Sequence, residues 1–163
     1  MLTIPMLTIR PATRDDVPVL KTMIEEFATF ERLPFNVTEE NLARDGFGTN
    51  PKFRVLIAAW EKHIAGYAFF FEFYSTFESR HGIFLEDIYV RPEFRGKSIG
   101  KEFFSRLVKL AQEENCYALR WQVLDWNQPA IEFYEKLGAT FMDAWKTVQL
   151  DAEKFAVVAE GVR

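Results

Sequence analysis

Arg95-Gly96-Lys97-Ser98-Ile99-Gly100 is the segment of this chain whose residue types and spacing most suit chemistry. It follows an apolar stretch that carries two adjacent acids, Glu86 and Asp87, and it leads into an amphipathic stretch over residues 101–114. That order predicts a strand, a turn marked by Pro92, and a helix. The first N–H groups of a helix have no partner within it and lie at the positive end of its dipole, so an anion placed there is stabilised. Gly96 and Gly100 let the backbone come close to such an anion. Arg91, Arg95, Lys97 and Lys101 crowd this turn in a chain of formal net charge -4, so the basicity is local. A pyrophosphate suits the turn. Gly96-Lys97-Ser98 has the tail of a P-loop, but Arg91 stands where that motif needs its leading Gly, and a G-x-G-x-x-G fingerprint is missing as well. A charged helix start with no ligand is the bland alternative.

These residues need a scaffold, and the patterning supplies one. Residues 7–10 read as a strand. Thr13 or Asp15 then caps a helix with Val17, Leu20, Ile24 and Phe27 on one face, and a second short helix starts at Thr38 and stops near Gly46-Phe47-Gly48. Strands are predicted over 53–60, 64–74 and 82–90, a helix over 99–114, a strand over 118–123, a helix over 128–137 and a last strand over 144–150. The expected fold is α/β: a mixed sheet with helices on both faces, in one domain over residues 6–163. Met1-Leu2-Thr3-Ile4 is echoed by Met6-Leu7-Thr8-Ile9, so residues 1–5 are read as an extra N-terminal segment outside the fold.

Composition narrows the function classes. At 163 residues, with 48% hydrophobic content and 17 Phe, the chain can bury a large aromatic core. Its apolar runs are too short to span a bilayer and no secretory leader is evident, so neither a membrane partner nor export is expected. One Cys cannot form an intrachain disulfide, which suits a reducing cytoplasm. Cys116 has no His near it in sequence, and His63 and His81 belong to no ligand cluster, so no metal is expected. An acidic pI near 5.3 argues against a nucleic-acid partner.

The segment from Arg95 also follows the Arg/Gln-x-x-Gly-x-Gly/Ala pattern of acyl-CoA enzymes, with Ser98 in place of the first Gly. With Phe27-Ala28-Thr29-Phe30-Glu31-Arg32-Leu33, Asp45-Gly46-Phe47-Gly48, Leu85-Glu86-Asp87-Ile88-Tyr89-Val90, Leu124-Asp125-Trp126-Asn127-Gln128, Phe133-Tyr134 and Leu137-Gly138-Ala139, it makes nearly the whole chain resemble the GNAT acyltransferases, in the spermidine/spermine and thialysine acetyltransferase branch. Tyr74-Ser75-Thr76-Phe77 and Leu124-Asp125-Trp126-Asn127 look closer to the thialysine type. The resemblance implies a mostly antiparallel GNAT-like sheet, acetyl-CoA as donor, a small diamine-like amine as acceptor, and a homodimer. It implies that Ile88, Tyr89, Val90, Arg95, Gly96, Lys97, Ser98, Ile99, Gly100, Lys101, Asn127 and Tyr134 hold the donor.

The chemistry asks for two proton transfers. An alkylammonium with a pKa of about 10.4 is not nucleophilic at neutral pH, so a base must take its proton, and the departing thiolate benefits from an acid. Glu86 is assigned as the base and Tyr134, matching the family's acid, as the donor; Glu31, Glu86 and Asp87 are assigned to the amine. Neighbours on a strand point to opposite faces, so Glu86 and Asp87 share a cleft only if a bulge turns them together. Ser98 departs from the pattern, which leaves room for a CoA-binding module without activity; within the enzyme class the alternative acceptor is a protein N-terminus or another small amine. The apolar residues Phe155, Ala156, Val157 and Val158, with the last strand, add the surface on which a dimer is expected.

Overall fold

The computed structural model describes residues 6–161, so the extra segment proposed at 1–5 lies outside them. The chain falls into two compact units, divided between Gln122 and Val123. The first holds a five-stranded sheet in chain order: β1 (Leu7–Pro11), β2 (Arg54–Trp60), β3 (His63–Ser75), β4 (Arg80–Val90) and β5 (Leu119–Trp121). All neighbours are antiparallel except β4 and β5, which run parallel. Two helices, α1 (Val17–Glu31) and α2 (Glu39–Phe47), lie between β1 and β2, and α3 (Ile99–Glu113) makes the crossover from β4 to β5. The α/β class and the mixed, mostly antiparallel sheet are as the sequence predicts.

Burial explains the layers. Val55, Leu56, Ile57 and Ala58 of β2 are all buried, so the sheet is covered on both faces there, not on alternate residues only. On one face Val17, Leu20 and Met23 of α1 and Leu42 of α2 pack with Val55, Ile57, Tyr67 and Tyr89. Phe103, Phe104 and Leu107 of α3 are buried as well, and Phe104 meets Trp121 edge to face at 5.3 Å. Phe103 is 0% exposed; truncating such a residue to Ala costs about 3–5 kcal/mol. At Gly66 a Cβ would lie 2.2 Å from the Tyr89 carbonyl oxygen, so only glycine lets β3 and β4 approach this closely.

Caps set the helix ends. The Thr38 hydroxyl accepts from the Asn41 amide at 3.2 Å and opens α2, while α1 ends at Arg32 in the left-handed region (φ 59°).

The second unit contains α4 (Gln128–Lys136) and a short α5 (Phe155–Ala159). It corrects one expectation, because residues 144–150 form no strand and are exposed throughout. Their alternation fits a strand, but a strand exists only when a neighbour completes its ladder, and none pairs with them among the described residues. β5 is also shorter than predicted.

Candidate active site

The turn before α3 is built as an anion site would be. After a single 3-10 turn at Pro92–Phe94, Gly96 (φ 76°) and Ser98 (φ 62°) both take left-handed backbone conformations, and α3 starts at once. A Cβ on Gly96 or on Gly100 would meet nothing within 4 Å, so the space over this turn is open. Ser98 therefore occupies the position where the sequence pattern expects Gly, in the conformation that Gly favours. Its cations are arranged unequally. Lys97 lies with its Nζ 4.7 Å from the centre of the Trp60 ring, and Arg95 sits over Phe30 at 5.0 Å while its Nε donates to the Val90 carbonyl at 3.0 Å. Arg91, which the sequence groups with them, is committed elsewhere: it donates twice to Glu26 of α1 at 3.0 Å and once to the Ile64 carbonyl.

Just upstream, the ladder between β4 and β5 ends at Leu85 and Trp121. From Ile88 to Val90, β4 is laddered to β3 alone among the described residues. The register of that ladder slips where Phe69 faces Asp87 and Phe70 faces Leu85, which leaves Glu86 as the extra residue of a bulge. The bulge the two adjacent acids require is therefore present. Glu86 is exposed and Asp87 is half-buried.

Asp87 is the electrostatically unusual group. The Tyr67 hydroxyl donates to its Oδ2 at 3.1 Å. Burial, then the charge of Glu86 and finally that of Glu31 push its carboxyl up to about 6, against the Tyr67 hydrogen bond, which pulls it down. Glu31, half-buried in the last turn of α1, is also raised by burial. Among the described residues no Lys or Arg lies within ion-pair distance of Glu31, Glu86 or Asp87. The structure thus brings together Glu31, Asp87 and Glu86. Tyr67 is the residue sequence reasoning missed. A signal existed, since a Tyr and an Asp on apolar strands each need a polar partner.

Asn127 and Tyr134 belong to the second unit. The Asn127 side chain caps α4 by accepting from the Ala130 amide at 3.4 Å, and the Tyr134 ring tilts against Phe133 at 5.5 Å on the same helix.

One expectation about metal ligands needs correction. His81, Glu114 and Cys116 place their ligand atoms within 4.8 Å of one another, so Cys116 does have a histidine beside it. The fold does this by pairing the start of β4 with the chain leaving α3, as in the Tyr117 amide donating to the His81 carbonyl at 3.1 Å. Both Glu114 oxygens accept from Arg54, at 2.5 and 2.9 Å.

Comparison with known proteins bears on the family and the fold. The sequence model of the acetyltransferase (GNAT) family matches residues 20–139. A thialysine N-epsilon-acetyltransferase of Sus scrofa is 35% identical, over 93% of this chain and 96% of its own length. A spermidine/spermine N(1)-acetyltransferase-like protein 1 of Homo sapiens is 32% identical over 93% of this chain and 23% of its own. Among solved structures, an integron cassette protein from the mobile metagenome of V. cholerae superposes with a TM-score of 0.77 at 20% identity, covering 96% of this chain and 99% of the other; at that identity the likeness is one of fold. With the family model spanning most of its length and a thialysine N-epsilon-acetyltransferase at 35% identity aligned almost end to end, the chain belongs to the GNAT acetyltransferase family and is an N-acetyltransferase.

Proposed function

We propose that this enzyme moves acetyl from acetyl-CoA directly to a primary amine of a small, diamine-like acceptor of the thialysine or polyamine kind. The observation that carries this reading is the adjacency, within one unit, of the open left-handed turn at Gly96 and Ser98 to a bulged strand bearing unpaired carboxylates. Bound acetyl-CoA would supply an activated thioester. Amides from Arg95 to Lys101, with the Lys97 and Arg95 side chains, suit its pyrophosphate, and the Ile88, Tyr89 and Val90 edge of β4 suits an extended amide-bearing arm. Asn127 joins this set on its motif.

In the proposed chemistry Glu31 and Asp87 hold the ammonium by charge, and Glu86 accepts the proton that must leave nitrogen before it attacks the thioester carbon. Tyr134 gives its proton to the sulfur as the C–S bond breaks, a role that rests on its Phe133-Tyr134 motif. No residue needs to carry the acetyl group. The relatives named as thialysine N-epsilon-acetyltransferases support the acceptor class. Residues 6–163 are proposed as one domain, because the family match crosses the division at Gln122. A homodimer is proposed from the resemblance and from Trp145, Val148 and Val157, which are exposed apolar residues, and a cytoplasmic location from the single Cys, which suits a reducing compartment.

The test is CoA release from acetyl-CoA across a panel of diamines, amino acids and peptide N-termini, with ATP as a control ligand. Turnover with small diamines is expected. Binding of acetyl-CoA without turnover on any amine would favour a module without activity.

A further inference from the structure

Tyr67 has a place in this site that neither its strand nor its burial requires. It is 0% exposed, on the central strand β3, with its ring 6.1 Å from that of Tyr89. A phenylalanine would fill that position with one polar atom fewer to satisfy. Instead the hydroxyl crosses the β3–β4 ladder to one oxygen of Asp87, two residues further along the paired strand. Burial first, and then the charge of Asp87, hold the phenol proton in place, so Tyr67 stays a donor across the working pH range.

We propose that Tyr67 is a positioning residue of the acceptor site: it holds Oδ2 of Asp87 and leaves Oδ1 for the ammonium of the incoming amine. The proposal rests on the amine-acceptor reading above and adds to it the residue that sets how Asp87 receives the amine. Asp87 is faced by Tyr67 from β3, by Glu86 on its own strand and by Glu31 from the end of α1. Of these, Tyr67 alone favours the charged form of the carboxylate. Without the hydroxyl, Asp87 would take up a proton at higher pH and would be free to turn. The ammonium would then meet a group that is more often neutral and less well aimed.

The experiment compares the wild type with Tyr67→Phe, a change that keeps the ring and removes one oxygen. With a good diamine, KM for the amine should rise roughly 3- to 10-fold near neutral pH, the net contribution of one ordinary hydrogen bond, since the bond lost holds Asp87 and not the amine itself. The acid limb of kcat/KM should move to higher pH, by about half a unit or more. A role in core packing alone would move neither, so an unchanged amine KM together with an unmoved acid limb overturns the proposal. Failure of the functional reading looks different: no amine in the panel would release CoA with the wild type. In that case the carboxyl carbon of Asp87, followed by 13C NMR while 1,3-diaminopropane is added, decides the matter. A response in the wild type that needs several-fold more diamine in Tyr67→Phe supports the positioning role, and no response, or an equal one, removes it.

Discussion

Asp16 and Asp87 both sit partly inside the first unit, and their surroundings are opposite. Asp16, 7% exposed at the entry to α1, receives Arg10 through Nη1 at 2.7 Å and Nη2 at 2.8 Å. It also receives the Thr13 amide at 2.7 Å and the Thr13 hydroxyl at 3.2 Å. The Arg10 bonds, against the opposing effect of burial, hold its carboxyl down to about 2. Asp87 receives one phenol, faces two other acids and is pushed up to about 6. The first carboxylate is complete and joins a strand to a helix; the second is left short of positive charge. A folded protein keeps such a shortfall at a cost, and a cationic ligand is what would relieve it.

The largest effect should come from the residue beside that shortfall. Glu86→Gln is expected to lower the turnover rate about 100-fold or more near neutral pH, the range for loss of a general base. The deficit should shrink as pH rises and free amine accumulates. Removing the Glu86 charge should also let Asp87 ionise at lower pH, moving the acid limb of kcat/KM downward. A carboxylate that only anchors the ammonium would raise KM and spare kcat, so pH–rate profiles of both parameters separate the roles. A normal kcat removes Glu86 as the base.

At Asp16 the effect should fall on stability. Asp16→Asn leaves Arg10 without its anion and should cost on the order of 2 kcal/mol, read as a fall in Tm of roughly 4–8 °C. Because the folded pKa lies below the unfolded one, the Asp16 contribution is complete above about pH 4 and fades as pH falls towards 2. The wild-type and variant melting temperatures should therefore converge in acid. A constant gap down to pH 2 would show that packing, not the charge, is what matters there.

Asp87 should give the opposite sign. Its folded pKa lies above the unfolded value, so ionisation opposes folding from about pH 4 to 6 and fully above that. Asp87→Asn removes this penalty and should raise Tm at neutral pH by a few degrees, with the gain vanishing near pH 4, while KM for the amine rises at least several-fold. Thermal melts at pH 4 and pH 7 together with amine kinetics check both halves. A variant that is less stable at pH 7 would place Asp87 with Asp16, as part of the framework.

The difference in legibility follows the same division. The turn before α3 was readable as a candidate anion site because glycine, basic residues and a helix start are adjacent in sequence, and what the fold adds is that Gly96 and Ser98 both take left-handed φ angles. The adjacent acids were readable as a pair, but the bulge at Glu86 that such a pair needs depends on how β3 registers with β4, and the chain states that only through the fold. Tyr67 and Asp87 are 20 residues apart and meet by a diagonal across that same ladder. His81 and Cys116 meet where β4 begins and α3 ends, which no local spacing encodes. The strand expected at 144–150 fails for the converse reason, since its local pattern is sound and its ladder partner is missing among the described residues.

The smallest effect tests whether the turn before α3 carries a cost for function, as is proposed for the Asp87 region. Ser98 has φ 62° and its side chain makes no capping bond, so it pays the left-handed penalty without the local hydrogen bond that would justify an Asn or Ser there. Ser98→Gly removes a Cβ strain worth about 1–2 kcal/mol and gives back about 0.5–1 kcal/mol of it as extra freedom in the unfolded chain, for a net gain of a few tenths to about 1 kcal/mol. The backbone amides that suit a pyrophosphate are untouched, so acetyl-CoA affinity should be equal or tighter. Weaker acetyl-CoA binding in a Ser98→Gly enzyme of equal or higher Tm would show that the hydroxyl itself is a donor to the phosphates, and that this strained residue is kept for what it binds, as is proposed for Asp87.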